Sequence, residues 1–195
     1  MSKYGHKAHN WFEAVINKMG GEDRAEAFLR GELVLSEVAQ TLLRYVGTSA
    51  VAALTSVFFV VSHLQKNLTN NAKVKISYVD PDIATWLPAT VPSRKAHSLK
   101  WHDLTKNADD TTITKVLDKN YEVDMAVVWE KMAQQPNGEA GDLFTNGYAS
   151  LFYVGGCVVC VHWFSGGWGV DVRRLNYVDY WCAANRVFSR NSETL

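Results

Sequence analysis

Apolar residues recur at helical spacing through the first third of the chain. The first helix is predicted after Asn10 as N-cap and ends at the pair Gly20-Gly21. A second is predicted over 22–30, with acidic residues in its first turn, and a third over 36–45. The side chains expected to face inward are Trp11, Phe12, Val15, Ile16, Met19, Ala25, Phe28, Leu29, Val38, Leu42 and Tyr45. The segment 1–47 is therefore either an oligomerisation or partner-docking arm or a packed helical lid.

The pattern changes after Gly47. Residues 51–61 are β-branched and aromatic, which indicates a buried strand or core segment, and 73–79 alternates polar and apolar residues as a half-buried strand does. A short strand is also predicted over 99–104. Residues 124–135 predict a helix that ends at a Pro-Asn-Gly turn. Its apolar stripe consists of Met125, Val128, Trp129 and Met132.

Short alternating segments dominate the last third. Strands are predicted over 149–154, 157–164, 168–173 and 185–189. The pairs Gly155-Gly156 and Gly166-Gly167 are typical of the two-residue turns of β-hairpins. Helices followed by an antiparallel meander predict an α+β protein. We expect an N-terminal helical segment, 1–47, and an α+β domain, 48–195, with its ligand-binding region at about 140–192.

Composition and charge narrow the possible functions. Lysine plus arginine equals aspartate plus glutamate, so the formal net charge is zero, and a nucleic-acid partner is not expected because phosphate binding needs a basic excess. Three cysteines do not form a disulfide framework. The first ten residues do not resemble a signal peptide, and no apolar run reaches the ~20 residues of a membrane helix. These features predict a cytoplasmic protein without membrane insertion.

Cys157, Cys160, His162 and the distant Cys182 are the candidate metal ligands. Residues 157 and 160 would point to opposite faces of one strand, so they predict no shared metal site. No nucleophile motif and no phosphate-binding glycine loop is present. We therefore predict neither a cofactor nor an enzymatic activity. An enzyme or metalloprotein that uses His162 and the cysteines is the alternative from another class.

The stretch 140–192 has an unusual composition. It contains no Lys, Glu, Met or Gln, whereas these types supply 28 of the first 139 residues. Strands disfavour Lys and Glu, so a compact aromatic β-sheet explains part of this bias. Thr and Ile are also absent from 146–191.

Alternation divides the predicted strands of this stretch into two faces. One face is predicted to be core: Val159, Val161, Trp163, Trp168, Val170 and Val172. The other mixes Tyr, Asn, Asp, Arg, Ser and Gly, the residue types that antibody paratopes use. We predict that the following residues form a ligand-binding face: His162, Phe164, Ser165, Gly169, Asp171, Arg173, Arg174, Asn176, Tyr177, Asp179, Tyr180, Cys182, Ala184 and Asn185.

Several segments are similar to a group of uncharacterised proteins of candidate-phylum bacteria. They are 17–23 (NKMGGED), 28–33 (FLRGEL), 73–78 (KVKISY), 135–139 (QPNGE) and 186–191 (RVFSRN). The tail also resembles the variable region of diversity-generating retroelement target proteins. In those systems template adenines are randomised, typically in AAC or AAT codons, which can then encode any residue except Trp, Lys, Glu, Met and Gln. That set is missing from 140–192 apart from Trp163, Trp168 and Trp181, which the resemblance makes fixed scaffold positions.

The resemblance implies a C-type-lectin-like fold, or less often an immunoglobulin-like one, that displays varied side chains. It implies neither sugar nor calcium binding. The expected function is thus non-enzymatic binding of a protein or other macromolecular ligand. The alternative is a structural or assembly protein that forms homo-oligomers through its N-terminal helices.

Overall fold

The computed structural model describes residues 13–14, 16–17, 21–30, 41–69, 72–175 and 180–191. The chain separates into two compact units, Met1–Gln40 and Thr41–Leu195. In the first unit, helix α1 spans Glu22–Leu29 and has acidic residues in its first turn, as the sequence predicts. Ala25 is buried, but Leu29 is 82% exposed, so its predicted burial is wrong. Only four residues of the first predicted helix are described, and all four are helical.

The second unit combines nine strands with four helices among its described residues. The strands are β1 (Leu43–Val51), β2 (Phe58–Phe59), β3 (Ile76–Val79), β4 (Thr90–Val91), β5 (His97–Leu104), β6 (Ser150–Val154), β7 (Cys157–Phe164), β8 (Gly167–Arg174) and β9 (Arg186–Arg190). The helices are α2 (Val60–Gln65), α3 (Ile83–Trp86), α4 (Asp110–Val116) and α5 (Met125–Gln134). The protein is therefore a mixed α and β structure with a mainly antiparallel sheet, in agreement with the predicted class.

Seven strands form one sheet in the order β1-β5-β9-β6-β7-β8-β3, and β2 and β4 form a separate pair. The β6–β9 and β3–β8 contacts are parallel, and the other contacts of the large sheet are antiparallel. The predicted meander is correct for β6, β7 and β8. It is wrong for the last strand, because β9 lies between β5 and β6.

Two local predictions also need correction. The helix predicted over 36–45 cannot extend to Tyr45, because strand β1 begins at Leu43, and Tyr45 is 57% exposed rather than inward-facing. The second hairpin turn consists of Ser165 and Gly166, with φ values of 53° and 79°, and not of the glycine pair. Gly167 already belongs to β8, where it pairs with Phe164.

The large sheet has a hydrophobic cluster on each side. The larger cluster packs α2, α3 and α5 against one side, with Leu64, Ile83, Val127, Val128 and Met132 among its members. The smaller cluster packs Ile113 of α4 and Trp181 against the other side. Asp124, the first residue of the predicted helix 124–135, caps α5 by accepting hydrogen bonds from the backbone N–H groups of Ala126 and Val127. Within the described part of the chain, no helix combines the length and apolar character needed to cross a bilayer.

Candidate ligand-binding face

The β7–β8 hairpin carries the predicted binding face. Its two strands pair without a register shift from Cys157–Arg174 to Phe164–Gly167. Because side chains alternate along each strand, one side of the hairpin belongs to the larger cluster. We call this side the inner face: Val159, Val161, Trp163, Trp168, Val170 and Val172. The opposite side is the outer face: Val158, Cys160, His162, Phe164, Gly169, Asp171 and Arg173.

Trp168 fixes the inner face. Its side chain is fully buried and its indole Nε1 donates a hydrogen bond to the carbonyl oxygen of Gln135 at 2.9 Å. The Trp163 ring lies edge-on to it, with 5.0 Å between the ring centroids. Trp163 itself is half-buried and covers Gly138, where an added Cβ would lie 2.3 Å from the indole. The tryptophans thus close the hairpin onto the end of α5.

The outer face is divided into a covered end and an open end. Val158 and Cys160 are buried in the smaller cluster, beneath α4 and Trp181. Burial raises the pKa of the Cys160 thiol to about 12. Towards the Ser165-Gly166 turn the cover ends, and Phe164 is 50% exposed. Arg173 lies at the covered end, opposite Val158, and its exposed side chain extends over the Trp181 ring. Side chains can therefore reach a ligand from the open end and, at the covered end, from Arg173.

His162 and Asp171 form the centre of the open end. His162 Nδ1 lies 3.4 Å from Asp171 Oδ2, and both side chains are about one-third exposed. The His162 ring lies over Gly169, where an added Cβ would come within 2.6 Å of Nε2. Partial burial raises the pKa of Asp171, and His162 opposes that shift. Phe164 continues the row, with its ring centroid 5.8 Å from that of His162.

Tyr78 of the neighbouring strand β3 extends this surface. It pairs with Gly169 across the parallel β3–β8 contact and is 41% exposed. Its pKa is raised chiefly by desolvation and then by the nearby carboxylates Asp80, Asp171 and Asp82. The sequence did not identify Tyr78, because it lies about ninety residues before β8 and only the parallel pairing brings it to the face.

A buried hydrogen-bond network joins the other end of the outer face to the core. Asp110, the first residue of α4, accepts hydrogen bonds from Trp181 Nε1 at 2.7 Å and from the Tyr153 hydroxyl at 3.2 Å. Burial raises the pKa of the Asp110 carboxyl, while these two hydrogen bonds oppose that shift. The Arg173 guanidinium lies 5.4 Å from the centroid of the Trp181 ring. Trp181 therefore links the exposed face to the smaller cluster.

Backbone contacts hold the loop 180–185 in place. Trp181 and Ala108 exchange backbone hydrogen bonds at 2.9 and 3.1 Å, and the Ala184 N–H donates to the Leu104 carbonyl oxygen at 2.8 Å. The Ala183 N–H donates to Asn107 Oδ1 at 2.8 Å. None of these hydrogen bonds uses a loop side chain. Tyr180 and Cys182 are exposed on this fixed backbone, and Ala184 has an unusual φ of 73°.

The predicted site residues do not all belong to one exposed face. Those that are exposed are Phe164, Ser165, Arg173, Arg174, Tyr180 and Cys182, and those of intermediate exposure are His162, Asp171 and Ala184. Gly169 and Asn185 are buried, and Asn185 Oδ1 accepts a hydrogen bond from the Ala149 N–H at 3.1 Å. Arg174 lies on the side of the inner face, with its guanidinium 5.0 Å from the centroid of the Trp86 ring. Asn176, Tyr177 and Asp179 lie outside the described residues.

The three tryptophans of the last third and the cysteines of β7 are also subjects of predictions. Trp168 is buried as predicted, whereas Trp163 is only half-buried. Trp181, a fixed scaffold position according to the resemblance, is also buried. Cys157 belongs to the larger cluster and Cys160 to the smaller one, so the two thiols do point to opposite sides of the sheet. Among the residues that the structure describes, no group of three His, Cys, Asp or Glu side chains is arranged to hold a metal ion.

Comparison with known proteins gives no relative for this chain. No family model matches the sequence, no curated protein matches it, and no solved structure matches it.

Proposed function

We propose that this protein is a non-enzymatic binding protein that displays diversified side chains on a fixed scaffold, as the variable proteins of diversity-generating retroelements do. Its ligand is a protein or another macromolecule. The proposal includes the C-type-lectin-like assignment that the tail's resemblance implies. The observation that carries it is the contrast within one hairpin: the inner face packs into the larger cluster, while His162, Phe164, Asp171 and Arg173 of the outer face are exposed or of intermediate exposure.

The way in which the exposed side chains are held supports the proposal. A diversified position must accept many side chains without loss of the fold. Phe164 and Arg173 are held by strand pairing, and Tyr180 and Cys182 lie on a loop whose backbone is anchored to Leu104, Asn107 and Ala108. Surface substitutions away from special features usually change stability by no more than about 0.5 kcal/mol.

The chemistry of the exposed side chains also supports it. Tyr78, Phe164 and Tyr180 are 41%, 50% and 67% exposed. Asp171 lies near Tyr78, and Arg173 lies over the ring of Trp181, the neighbour of Tyr180 in the sequence. Aromatic residues and arginine are enriched among the residues that dominate binding energy at protein interfaces. Tyrosine supplies a large contact area with little loss of conformational entropy. A macromolecular ligand is therefore a better match to this face than a small metabolite.

Two combinatorial libraries test the proposal without requiring that the natural ligand be identified. The first randomises His162, Phe164, Asp171, Arg173, Tyr180 and Cys182 in the full chain displayed on yeast. The matched library randomises the six residues of the inner face, which lie in the same hairpin: Val159, Val161, Trp163, Trp168, Val170 and Val172. Protease resistance on the cell surface measures the folded fraction, and each library is then selected against several unrelated purified proteins.

The outer-face library should remain mostly folded and should yield binders to more than one target, because the proposal requires its varied side chains to reach one ligand together. The inner-face library should be mostly degraded, because five of its six positions are buried in the core and the sixth, Trp163, packs against it. Equal folded fractions in the two libraries, or a folded outer-face library without binders, would contradict the proposal.

A further inference from the structure

A groove opens next to the loop 180–185, away from the β7–β8 hairpin. It lies between the ends of β1 and β5 and the segment 144–148, and its volume is about 500 Å³. Ala183 and Ala184 of the loop form part of its wall. The charged, amide and aromatic side chains that line it are Arg44, Asp103, Phe144, Asn146 and Tyr148.

Two arginines share the Asp103 carboxylate: Arg44, which lines the groove, and the buried Arg186 behind it. Arg186 Nε donates to Asp103 Oδ1 at 2.8 Å, and Arg44 Nη2 donates to Asp103 Oδ2 at 3.1 Å. The nearby carboxylate of Asp142 is paired with Lys131 Nζ at 2.7 Å and does not neutralise either arginine. The described ion pairs of this region therefore leave one excess positive charge.

The excess charge is accessible at Arg44. Its side chain is 70% exposed, whereas those of Asp103 and Arg186 are 12% and 11% exposed. The Arg186 guanidinium is also covered by the Phe144 ring, 4.1 Å from its centroid. A guanidinium has five N–H donors, and the contact with Asp103 involves Nη2 alone. The remaining donors of Arg44 suit a second carboxylate, which arginine can bind through two parallel hydrogen bonds.

The segment 144–148 supplies contacts for the rest of such a ligand. The Phe144 and Tyr148 rings lie 6.2 Å apart, and Tyr148 is 43% exposed. Asn146 Oδ1 accepts a hydrogen bond from the Tyr148 N–H at 3.3 Å, so the amide nitrogen of Asn146 is the donor that a peptide carbonyl could use. An aromatic surface and an amide donor beside an exposed arginine match a peptide better than an isolated ion.

We propose that this groove binds an acidic peptide segment, with an aspartate or glutamate carboxylate on Arg44 and the adjoining backbone against Asn146 and Tyr148. One carboxylate balances the single excess charge, whereas a phosphate group near pH 7 carries between one and two negative charges. A ligand held there would also contact the loop 180–185, where the diversified positions would adjust specificity.

NMR titration of the full chain with an end-blocked hexaglutamate peptide tests this site. Hexaglutamine and inorganic phosphate are the comparison probes. We expect saturable shifts for hexaglutamate in the backbone amide signals of residues 103–105, 144–148 and 183–184. Hexaglutamine should cause no saturable shifts. Failure of hexaglutamate to bind, saturable shifts elsewhere only, or phosphate binding at the same signals with equal affinity would overturn the assignment to an acidic peptide.

Three variants separate the groove from general charge attraction. Arg44→Ala should weaken hexaglutamate binding by about tenfold or more, because it removes the charged donor. Arg190→Ala removes the same charge from an exposed residue at the opposite end of β9 and should weaken binding by no more than about twofold. Arg44→Lys keeps the charge and the pairing with Asp103 but loses the planar fork, so it should bind between these limits.

Equal weakening by Arg44→Ala and Arg190→Ala, or wild-type affinity of Arg44→Lys, would contradict specific recognition at Arg44. Peptide binding should also persist when Phe164, Asp171, Arg173 and Tyr180 are all replaced by alanine. The peptide-binding proposal can therefore be contradicted while the two libraries behave as proposed. The libraries can also contradict the proposed function while the groove still binds the peptide, so the two failures are distinguishable.

Discussion

The two faces of the β7–β8 hairpin differ although they share the same two strands and the same hydrogen bonds. On the inner face, Trp168 and Val170 are fully buried. On the outer face, Phe164 is exposed at the open end, and Arg173 is exposed at the other end, beside Trp181. Strand pairing holds the backbone of both faces equally, so the difference lies in what the side chains contact. One hairpin can thus combine a face that determines stability with a face that is available for binding.

The boundary between side chains that belong to the core and side chains that are available for binding lies within the outer face. At Cys160, the cover provided by α4 and Trp181 makes the outer face part of the smaller cluster. Two strand positions further on, at His162, that cover has ended and the side chain is 30% exposed. The length of the exposed binding surface is therefore set by α4 and by the network around Asp110.

The largest expected effect is on the inner face. Trp168→Ala removes a fully buried indole and its hydrogen bond to Gln135, and it should lower the free energy of unfolding by about 3–5 kcal/mol. The matched control is Phe164→Ala on the same hairpin, which should change it by about 0.5 kcal/mol or less. Urea denaturation followed by circular dichroism measures both. Similar losses for the two variants would contradict the assignment of the faces.

The second effect concerns the covered end of the outer face. Asp110→Ala leaves the Trp181 and Tyr153 donors without their buried acceptor, at about 1–3 kcal/mol for each donor. Asp110→Asn keeps an acceptor oxygen and should lose much less stability. Denaturation of the two variants under the same conditions measures the difference. Equal stability of Asp110→Ala and wild type would show that this network does not anchor Trp181.

The same carboxyl should make stability depend on pH. Burial raises the pKa of Asp110 in the folded state above its ordinary value of 3.8, so the folded protein holds this proton more tightly than the unfolded chain does. The resulting stabilisation is fully present below pH 3.8 and is lost as the pH rises through the raised folded pKa. The wild type should therefore lose stability relative to Asp110→Asn as the pH increases across this window. A constant difference in the free energy of unfolding between the two proteins over that pH range would contradict the raised pKa of Asp110.

A smaller effect is expected where His162 lies over Gly169. Gly169→Ala places a Cβ within 2.6 Å of His162 Nε2, so the ring must move, and we expect a loss of about 1 kcal/mol. His162→Ala in the same chain removes the obstructing ring and should recover most of that loss. A double-mutant cycle from thermal melts, with His162→Ala alone as control, measures the coupling. No coupling would mean that the ring does not rest on this glycine.

The smallest effect is expected for the exposed side chains of the predicted binding face. Simultaneous replacement of Asp171, Arg173 and Tyr180 by alanine should leave the fold intact, with about 0.5 kcal/mol or less for each position. Their side chains are partly or largely exposed. Thermal unfolding monitored by circular dichroism tests this. A loss comparable with that of Trp168→Ala would show that these residues support the core.

Local patterns in the sequence predicted the hairpin well, because its pairing is local. The bounds of β7 agree with the predicted 157–164, and its alternation assigns Val159 and Cys160 to opposite clusters as expected. The helical pattern of 124–135 and its cap at Asp124 are likewise local features that the structure contains. Such elements depend on neighbours along the chain rather than on distant partners.

The wrong or missing predictions depend on distant partners. The position of β9 between β5 and β6 and the placement of Tyr78 beside Gly169 arise from long-range pairing that no local pattern records. Asn185 was expected on the binding face because it is polar, but its amide oxygen accepts the Ala149 N–H and is buried. Tyr45 fits both helical and strand spacing, and pairing with β5 places it in a strand.

The central claim is that the exposed residues of the predicted binding face vary while the scaffold residues stay constant. Deep sequencing of this gene in a natural population tests it most directly, with the inner face as the internal control. We predict that amino-acid replacements concentrate at His162, Phe164, Asp171, Arg173, Tyr180 and Cys182 and avoid Val161, Trp168, Val170 and Trp181. Replacements spread evenly over both faces, or concentrated in the first 139 residues, would contradict the account.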